Sequence, residues 1–326
     1  MQTPLIEIVN IKKHYPLNFG FLDYFVVNVK TIKALNGINL SIYKGETLGL
    51  VGESGCGKST LGRIIMDLEK PTEGFIKFKG KRIDQLEKRS DIKELRKKMQ
   101  IIFQNPSSTL DPRMTVKQVL AEPFEIHEKL TKKELEKKIG QLLEMVGLNS
   151  SDAKKYSGDF SDGQKQRIAL VRSLSLNPEF IIADEPVSAL DVSVQGQILN
   201  LMKRLQKEMN LTMLFISHDL QIVRFLSDRI AVIYLGKIVE LGPSEEFFDR
   251  HYHPYSEGLL SSVLDLDPDA NFKQFKIIAD VPISQVDIPS GCVFHLKCPE
   301  AIEECKIIEP ELKEISKDHY VACLLR

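Results

Sequence analysis

The chain has 326 residues, of which 43% are hydrophobic and 27% are charged, and its 44 Lys and Arg nearly balance its 45 Asp and Glu, for a formal net charge of -1. Such a chain is too apolar and too neutral to be disordered. It also lacks the basic excess of proteins that bind the phosphate backbone of nucleic acids. No apolar run approaches the roughly 18 residues of a membrane span, and the first residues show no signal-peptide pattern. We therefore expect a cytoplasmic chain whose cysteines stay reduced.

Short, nearly continuous apolar runs alternate with longer helical patterns along the chain. Strands that are covered on both faces are apolar throughout, and on this basis we predict strands at residues 48–51, 101–103, 180–183, 213–216 and 230–234. Thr131 and Glu134 form a capping box that opens one helix, and apolar residues at helical spacing between 198 and 209 mark another. The alternation predicts an α/β fold with a mostly parallel sheet and helices on both of its faces.

Two stretches depart from this alternation. Residues 105–175 show helical patterns without a good strand candidate, so we interpret them as a helical subdomain inserted between two strands. After about residue 250, prolines punctuate the chain and periodicity fades. A tail of about 75 residues with few apolar runs must either pack on the main domain or be held by a staple.

Residues 52–60, Gly-Glu-Ser-Gly-Cys-Gly-Lys-Ser-Thr, lie between a predicted strand and a predicted helix. They match the phosphate-binding pattern G-x-x-x-x-G-K-S/T, in which backbone N–H groups wrap phosphate oxygens and a helix N-terminus faces the same anion. Lys58 is expected to reach the β- and γ-phosphates, and Ser59 to bind Mg²⁺. The predicted nucleotide-binding residues of the loop are Gly52, Ser54, Gly55, Cys56, Gly57, Lys58, Ser59 and Thr60.

Two acidic residues follow the predicted strand at residues 180–183. Asp184 is expected to hold the Mg²⁺ shell, directly or through water. Glu185 would then lie near the γ-phosphate, where a carboxylate can orient or deprotonate a water molecule. Acidic residues at strand ends are also common in turns, but together with the phosphate loop this pair indicates nucleotide hydrolysis.

Further motifs follow in an order that resembles the ATP-binding-cassette (ABC) ATPases. Residues 160–164, Phe-Ser-Asp-Gly-Gln, are similar to the family signature L-S-G-G-Q, and residues 188–191, Ser-Ala-Leu-Asp, match its D-loop. Gln104 matches the Q-loop glutamine, His218 the switch histidine and Tyr15 the adenine-stacking aromatic. The resemblance implies the P-loop NTPase fold of an ABC nucleotide-binding domain.

The resemblance implies that the ABC domain covers residues 1–250, with its helical subdomain at 105–175, and that residues 251–326 form a cysteine-containing extension. It also assigns roles to individual residues, with ATP and Mg²⁺ as the ligands. The implied catalytic residues are Glu185 and His218, Tyr15 and Gln104 join the nucleotide-binding set, and the implied Mg²⁺ ligands are Ser59, Gln104 and Asp184. In this family two chains enclose two ATP molecules head to tail. The residues implied to face the partner's ATP are Ser161, Gly163 and Gln164 of the signature, with Asp191 in the D-loop.

The tail narrows the resemblance to one branch of the family. Residues 253–256, His-Pro-Tyr-Ser, and 289–294, Pro-Ser-Gly-Cys-Val-Phe, resemble the tail of oligopeptide and dipeptide importer ATPases, and residues 111–115 favour the second of the two ATPase subunits. This resemblance implies ATP-dependent dimer closure that drives transport, at the cytoplasmic face of the cell membrane. The implied partners are a second homologous ATPase in a heterodimer, two transmembrane permease subunits and an extracytoplasmic solute-binding protein, with no nucleic acid.

Other functions stay open at this point. Some members of the branch import oligosaccharides. A soluble ABC ATPase of repair or translation generally carries paired cassettes or long coiled-coil insertions, and neither is visible in the sequence. The intact Glu185 disfavours a non-enzymatic nucleotide sensor, and the signature and D-loop disfavour a P-loop kinase.

Asp162 departs from the signature, which usually has Gly at this position. A carboxylate at the mouth of a γ-phosphate site is electrostatically unfavourable unless it is paired or points away. We therefore hypothesise that the partner's ATP, which would face Asp162, is hydrolysed poorly.

Four cysteines in the tail are spaced C-x5-C-x6-C-x17-C: Cys292, Cys298, Cys305 and Cys323. Structural zinc sites usually use close pairs of cysteines, which are missing here, and disulfides are rare in the cytoplasm. Four thiolates suit a 4Fe–4S cluster, and the resemblance to importer ATPases implies one. The cluster is thus the favoured hypothesis, while a zinc ion and free thiols remain alternatives.

Overall fold

The computed structural model describes residues 3–17, 30–261 and 284–326. The chain divides into two compact units. The first unit comprises residues 1–43, 47–84 and 216–326, and the second comprises residues 44–46 and 85–215. The predicted cysteine-containing extension falls within the first unit, although residues 262–283 of it lie outside the described residues.

The described residues contain twelve strands and ten α-helices. The strands are β1 (Ile6–Pro16), β2 (Thr31–Ile42), β3 (Thr47–Val51), β4 (Glu73–Phe78), β5 (Lys81–Arg82), β6 (Met99–Ile102), β7 (Phe180–Asp184), β8 (Thr212–Ser217), β9 (Arg229–Tyr234), β10 (Lys237–Pro243), β11 (Lys313–Ser316) and β12 (His319–Val321). The helices are α1 (Lys58–Ile65), α2 (Arg89–Lys98), α3 (Pro106–Thr109), α4 (Val116–His127), α5 (Lys132–Met145), α6 (Asp162–Leu174), α7 (Val192–Met209), α8 (Leu220–Leu226), α9 (Ser244–Asp249) and α10 (Pro254–Ser261).

The first unit contains a four-stranded sheet in the order β2-β1-β4-β5, and each of its neighbouring pairs is antiparallel. The prediction of a mostly parallel sheet therefore needs correction for this part of the chain. The apolar pattern of the sequence does not predict these strands, because they are not continuously apolar. β1, for example, carries Lys12, Lys13 and His14, and its register shifts between residues 8 and 14.

A second group of strands in the first unit follows the order β11-β12-β10-β9-β3. β3 and β9 run parallel, whereas β10 is antiparallel to both β9 and β12. All five residues of β3 are buried, which fits an apolar strand that is covered on both faces. The hairpin of β11 and β12 thus joins the end of the tail to the sheet, so the tail packs on the main domain.

The second unit contains the strand order β8-β7-β6, except for the last two residues of β8, and β6 is parallel to β7. Between β6 and β7, residues 105–175 hold helices α3 to α6 and two short 3-10 helices. The capping box of Thr131 and Glu134 at the start of α5 is confirmed, since each side chain accepts a hydrogen bond from the other residue's backbone N–H. No helix in the described part of the chain is both long and apolar enough to span a membrane.

Candidate functional site

The phosphate-binding loop lies between β3 and α1 in the first unit. Its residue Gly57 is the N-cap of α1 and has a φ of 110°, in the left-handed region that favours glycine. A Cβ at this position would lie 2.5 Å from the carbonyl oxygen of Ala34, so the loop also needs the small residue for space. No side chain caps α1. Its first N–H groups are therefore suited to bind an anion such as a phosphate.

Lys58 is only 5% exposed. Its ammonium group donates hydrogen bonds to the carbonyl oxygens of Gly52 at 2.7 Å and Glu53 at 2.9 Å, so the loop's own backbone holds it. The Sγ atom of Cys56 lies 3.9 Å from the same ammonium group. Burial raises the pKa of Cys56, although the nearby Lys58 opposes that rise. A buried thiol of raised pKa is a poor nucleophile, which agrees with a role for Cys56 as a small residue in the loop.

Tyr15 lies near the end of β1 and is linked to the start of α1. Its phenol is hydrogen-bonded to Thr60, a residue of the phosphate loop, and to Glu69. Burial raises the pKa of this phenol first of all, and the neighbouring Glu69 raises it further. The ammonium group of Lys13 lies 4.9 Å from the centre of the Tyr15 ring. The structure thus brings the predicted adenine-stacking ring beside the phosphate loop.

The carboxylate pair lies at the end of β7 in the second unit. Asp184 is the last residue of this fully buried strand and is 8% exposed. Glu185 follows it with a φ of 46°, in the left-handed region. A non-glycine residue in this region stores strain of about 1–3 kcal/mol, and such strain clusters at functional sites. The strained backbone therefore supports a functional role for Glu185.

Gln104 joins the carboxylate pair to the segment that follows β6. Its Nε2 atom donates a hydrogen bond to Oε2 of Glu185 at 3.0 Å, and it also lies 3.4 Å from the hydroxyl of Ser188. The Ser188 hydroxyl in turn donates to the backbone oxygen of Glu185 at 3.0 Å. The family resemblance implies Gln104 as a ligand of Mg²⁺. The direct contact with Glu185 has no signal in the sequence, because 81 residues separate the two.

The signature segment forms the N-terminus of α6. Ser161 is the N-cap and forms a capping box with Gln164, which satisfies two backbone N–H groups. A Cβ on Gly163 would lie 2.5 Å from Cγ1 of Val194, so the position needs glycine for the close approach of α7. The Asp162 side chain is 66% exposed, and its carboxylate lies 3.6 Å from the ammonium group of Lys165.

Two further predicted residues lie at helix starts. Asp191 is exposed and occupies the N-cap position of α7, without a side-chain capping hydrogen bond. His218 is also exposed and lies between β8 and the N-cap Asp219 of α8. The end of an element therefore sets the backbone position of each of the two residues.

Two residues of the tail also contact the phosphate loop. The hydroxyl of Tyr255 accepts a hydrogen bond of 3.0 Å from the Glu53 N–H, and the side-chain amide of Gln285 donates to the carbonyl oxygen of Gly55. Sequence reasoning assigned neither residue a role. Tyr255 belongs to the His-Pro-Tyr-Ser stretch that was noted only for its resemblance, and Gln285 carries no local signal.

The four tail cysteines lie near one another. The backbone N–H of Cys292 donates to the carbonyl oxygen of Cys305 at 2.8 Å. Burial raises the pKa of Cys298 to about 11, and the other three cysteines add to that rise. Within residues 3–17, 30–261 and 284–326, however, no three His, Cys, Asp or Glu side chains are placed so that they could hold a metal ion. The structure of the described residues therefore does not support the predicted iron–sulfur site.

Comparisons with known proteins agree with this arrangement. Residues 35–188 match a family model described as ABC transporter, and residues 239–305 match one described as oligopeptide/dipeptide transporter, C-terminal region. Among solved structures, the ATP-binding cassette MJ0796 bound to ADP and Pi is 29% identical, with a TM-score of 0.63 over 73% of this chain and 98% of that chain. The structure of cbiO1 from Clostridium perfringens is also 29% identical, with a TM-score of 0.64 over 76% of this chain and 92% of that chain. The chain is an ABC-type ATPase and belongs to the ABC transporter family.

Two full-length relatives place the chain more closely. It is 48% identical to the oligopeptide transport ATP-binding protein AppF of Bacillus subtilis, over 99% of this chain and 98% of that protein. It is 42% identical to the dipeptide transport ATP-binding protein DppF of Haemophilus influenzae, over 98% of this chain and 96% of that protein. Both matches include the tail, so the chain lies in the oligopeptide/dipeptide branch of the family.

Proposed function

We propose that this chain is the ATP-hydrolysing subunit of an importer for oligopeptides or dipeptides. The observation that carries the proposal is the match of residues 239–305 to the C-terminal region of oligopeptide/dipeptide transporters. The phosphate loop and the carboxylate pair support ATP hydrolysis in general, and the tail supports this branch in particular.

Each unit contributes groups suited to one part of the reaction. In the first unit, the α1 N-terminus and Lys58 bind phosphate oxygens. In the second unit, Glu185 orients the attacking water and accepts its proton, while the hydrogen bond from Gln104 holds the carboxylate. His218, which belongs to the first unit, donates to the γ-phosphate as charge develops. Mg²⁺ prefers oxygen ligands. The first unit offers the hydroxyl of Ser59, and the second unit offers the amide oxygen of Gln104 and the carboxylate of Asp184; bound Mg²⁺ would neutralise phosphate charge.

The ATPase acts as a dimer in this proposal, and a second homologous ATPase is the favoured partner. Ser161, Gly163 and Gln164 would face the ATP bound by that partner. Their support is their position at the N-terminus of α6, because the N-terminal end of a helix attracts an anion. Asp191 would line the same interface from the D-loop.

A groove of the second unit is the proposed docking site for a permease subunit. It has a volume of about 270 Å³ and lies between β6, α4 and α6. Two apolar side chains line it and are unusually exposed, Phe103 at 40% and Ile126 at 53%. Exposed apolar surface in a groove marks a protein interface, and a cytoplasmic helix of the permease would cover it. Peripheral attachment to the membrane would then come from this partner.

Replacement of Ile126 tests the docking site. Ile126→Glu is expected to abolish co-purification with the permease subunits from membranes, because a buried charge without a partner opposes docking. Leu68→Glu is the matched control, because Leu68 is also exposed, at 55%, and lies outside the groove. If Ile126→Glu recovered as much permease as Leu68→Glu and the wild type, the groove would be excluded as the docking site.

An iron–sulfur cluster on Cys292, Cys298, Cys305 and Cys323 remains a separate proposal. What supports it is the proximity of the thiols, since Cys305 and Cys323 raise the pKa of Cys292, and the other three cysteines raise the pKa of Cys298. The cluster would supply four bonds that hold the tail together. Preparation without air should yield iron and sulfide that are lost in Cys298→Ser and retained in Cys56→Ser. A colourless wild-type protein without iron and sulfide would exclude the cluster.

Transport in reconstituted vesicles tests the proposed function as a whole. The chain is assembled with its second ATPase, permease subunits and solute-binding protein. We expect ATP-dependent uptake of a labelled oligopeptide or dipeptide, and none with a Glu185→Gln variant. Uptake of an oligosaccharide alone, or ATP turnover that is independent of the permease, would contradict the proposal.

A further inference from the structure

The C-terminal tail reaches the phosphate loop at two points. The Tyr255 hydroxyl accepts the hydrogen bond from the Glu53 N–H at 3.0 Å. Gln285 donates from its side chain to the Gly55 carbonyl oxygen, and its own backbone oxygen accepts a hydrogen bond of 3.0 Å from the Lys33 N–H in β2. One tail contact therefore lies at the start of the loop and the other at its exposed turn.

The backbone of Glu53 links Tyr255 to the phosphate-binding Lys58. The N–H of Glu53 points to Tyr255, while the carbonyl oxygen of Glu53 accepts hydrogen bonds from Lys58 at 2.9 Å and from the Cys56 N–H at 3.3 Å. A tilt of Glu53 would therefore displace the acceptor that holds Lys58. The geometry makes Tyr255 a positioning residue that acts through Glu53.

The packing around Tyr255 gives it the rigidity that positioning requires. Its side chain is 4% exposed, and its ring centre lies 4.5 Å from that of Tyr234 and 5.5 Å from that of Phe294. The Tyr255 backbone N–H donates to Nδ1 of His253 at 3.1 Å. A side chain locked by packing and second contacts can hold a loop in a fixed geometry.

We propose that the tail is a positioning element of the ATP site, in which Tyr255 and Gln285 hold the phosphate loop in the form that binds nucleotide. The inference rests on the proposed function, because it concerns the affinity of the same site for ATP. Without either contact, the loop would also take conformations that do not bind nucleotide. Part of the binding free energy would then be used to restore the nucleotide-binding conformation, which lowers the apparent affinity.

Nucleotide affinity of the full chain tests this inference. We expect Tyr255→Phe and Gln285→Ala each to raise the Kd for Mg-ATP about three- to tenfold, in line with the loss of one hydrogen bond. In ATPase assays KM should rise by the same factor while kcat stays within about twofold, because neither residue touches the reacting atoms. The Kd and the kinetic constants are measured well below the Tm of each variant. A change in them then reflects the position of the loop and not a smaller fraction of folded protein.

Tyr234→Phe is the matched control. It removes a hydroxyl from the same aromatic cluster, yet within the described residues no hydrogen bond joins that hydroxyl to the phosphate loop. Its Kd should equal that of the wild type. Unchanged Kd values for both Tyr255→Phe and Gln285→Ala would overturn the inference. A wild-type chain that neither binds nor hydrolyses ATP would instead overturn the proposed function.

Discussion

The phosphate loop and the C-terminal tail lie in the same unit but are built in opposite ways. The loop works through its backbone, since glycine conformations, exposed N–H groups and a helix N-terminus form the anion site. The tail is held by buried side chains from distant parts of the chain, above all by Glu240 and His319, which are both fully buried and lie 2.9 Å apart. A site formed by a continuous stretch of backbone gives a short motif that the sequence shows directly. A contact between side chains far apart in the chain gives almost no such motif.

The largest expected effect concerns the chemistry of the motifs. Glu185→Gln keeps the shape of the side chain and an oxygen for the Gln104 hydrogen bond, but it removes the base. We expect kcat for ATP hydrolysis to fall about 1,000-fold, with Tm unchanged to within roughly 2 °C. The measurement is steady-state phosphate release by the assembled transporter.

Glu179→Gln is the control for that variant. It makes the same chemical change just before β7, where Glu179 lies 3.8 Å from Lys98 at the surface. Exposed ion pairs contribute little, so its turnover should match the wild type. If Glu185→Gln retained more than about a tenth of wild-type kcat, a different group would have to accept the proton.

Substitutions in the tail should act differently, because we expect them to lower the stability of the fold rather than the rate of ATP hydrolysis. Glu240 accepts hydrogen bonds from the Tyr252 and His253 N–H groups as well as from His319. His319→Ala removes one hydrogen-bond partner of the buried Glu240 carboxylate. This loss should destabilise the fold by about 3 kcal/mol. We expect Tm to fall by roughly 5–10 °C in a thermal melt.

The conservative variant His319→Gln keeps a donor that can reach Glu240, and it should recover part of the loss. Ser261→Ala serves as the control, because its hydroxyl donates only within α10. A melting temperature of His319→Ala equal to that of the wild type would mean that the tail is held by other contacts.

The contrast between loop and tail also explains how much the sequence could reveal. Four of the five predicted strands lie within observed strands, and the fifth, at residues 101–103, overlaps β6 but runs one residue past its end at Ile102. Apolar runs need no distant information. The sequence does not predict β10, because Glu240 interrupts its apolar pattern. The partners that make burial of Glu240 tolerable include His319, which is 79 residues away. For the same reason the phosphate loop was recognised from its spacing, while the contacts of Tyr255 and Gln285 with it were not.

Acidification should act on the tail through His253. Burial lowers the pKa of this histidine from 6.5 to about 4, with Glu240 opposing and Arg326 adding to that effect. The unfolded chain therefore binds a proton between pH 6.5 and 4 that the folded chain does not, so stability is full above pH 6.5 and falls as the pH decreases. Between pH 7.5 and 5 we expect a loss of about 2 kcal/mol from this residue.

Denaturant unfolding at the two pH values measures that loss. In His253→Asn the side chain can still accept the Tyr255 N–H hydrogen bond, but it does not titrate. The difference in unfolding free energy between pH 7.5 and 5 should therefore be smaller in the variant by about 2 kcal/mol. An identical difference in both proteins would show that His253 does not set the acid sensitivity of the tail.

The smallest expected effect returns to the motifs, at Asp162 in the signature. Its carboxylate lies 3.6 Å from Lys165 and is largely exposed, so pairing and solvent both weaken its repulsion of a partner's γ-phosphate. Asp162→Gly in the assembled transporter should raise turnover about twofold, and Asp162→Asn, which removes the charge at nearly constant size, should do the same. A gain in the Gly variant alone would assign the effect to backbone freedom, and no gain in either would contradict the hypothesis that Asp162 weakens hydrolysis. The effect should be smaller than that of Tyr255→Phe, because Asp162 acts on the partner's ATP through a screened charge, whereas Tyr255 contacts this chain's own phosphate loop directly.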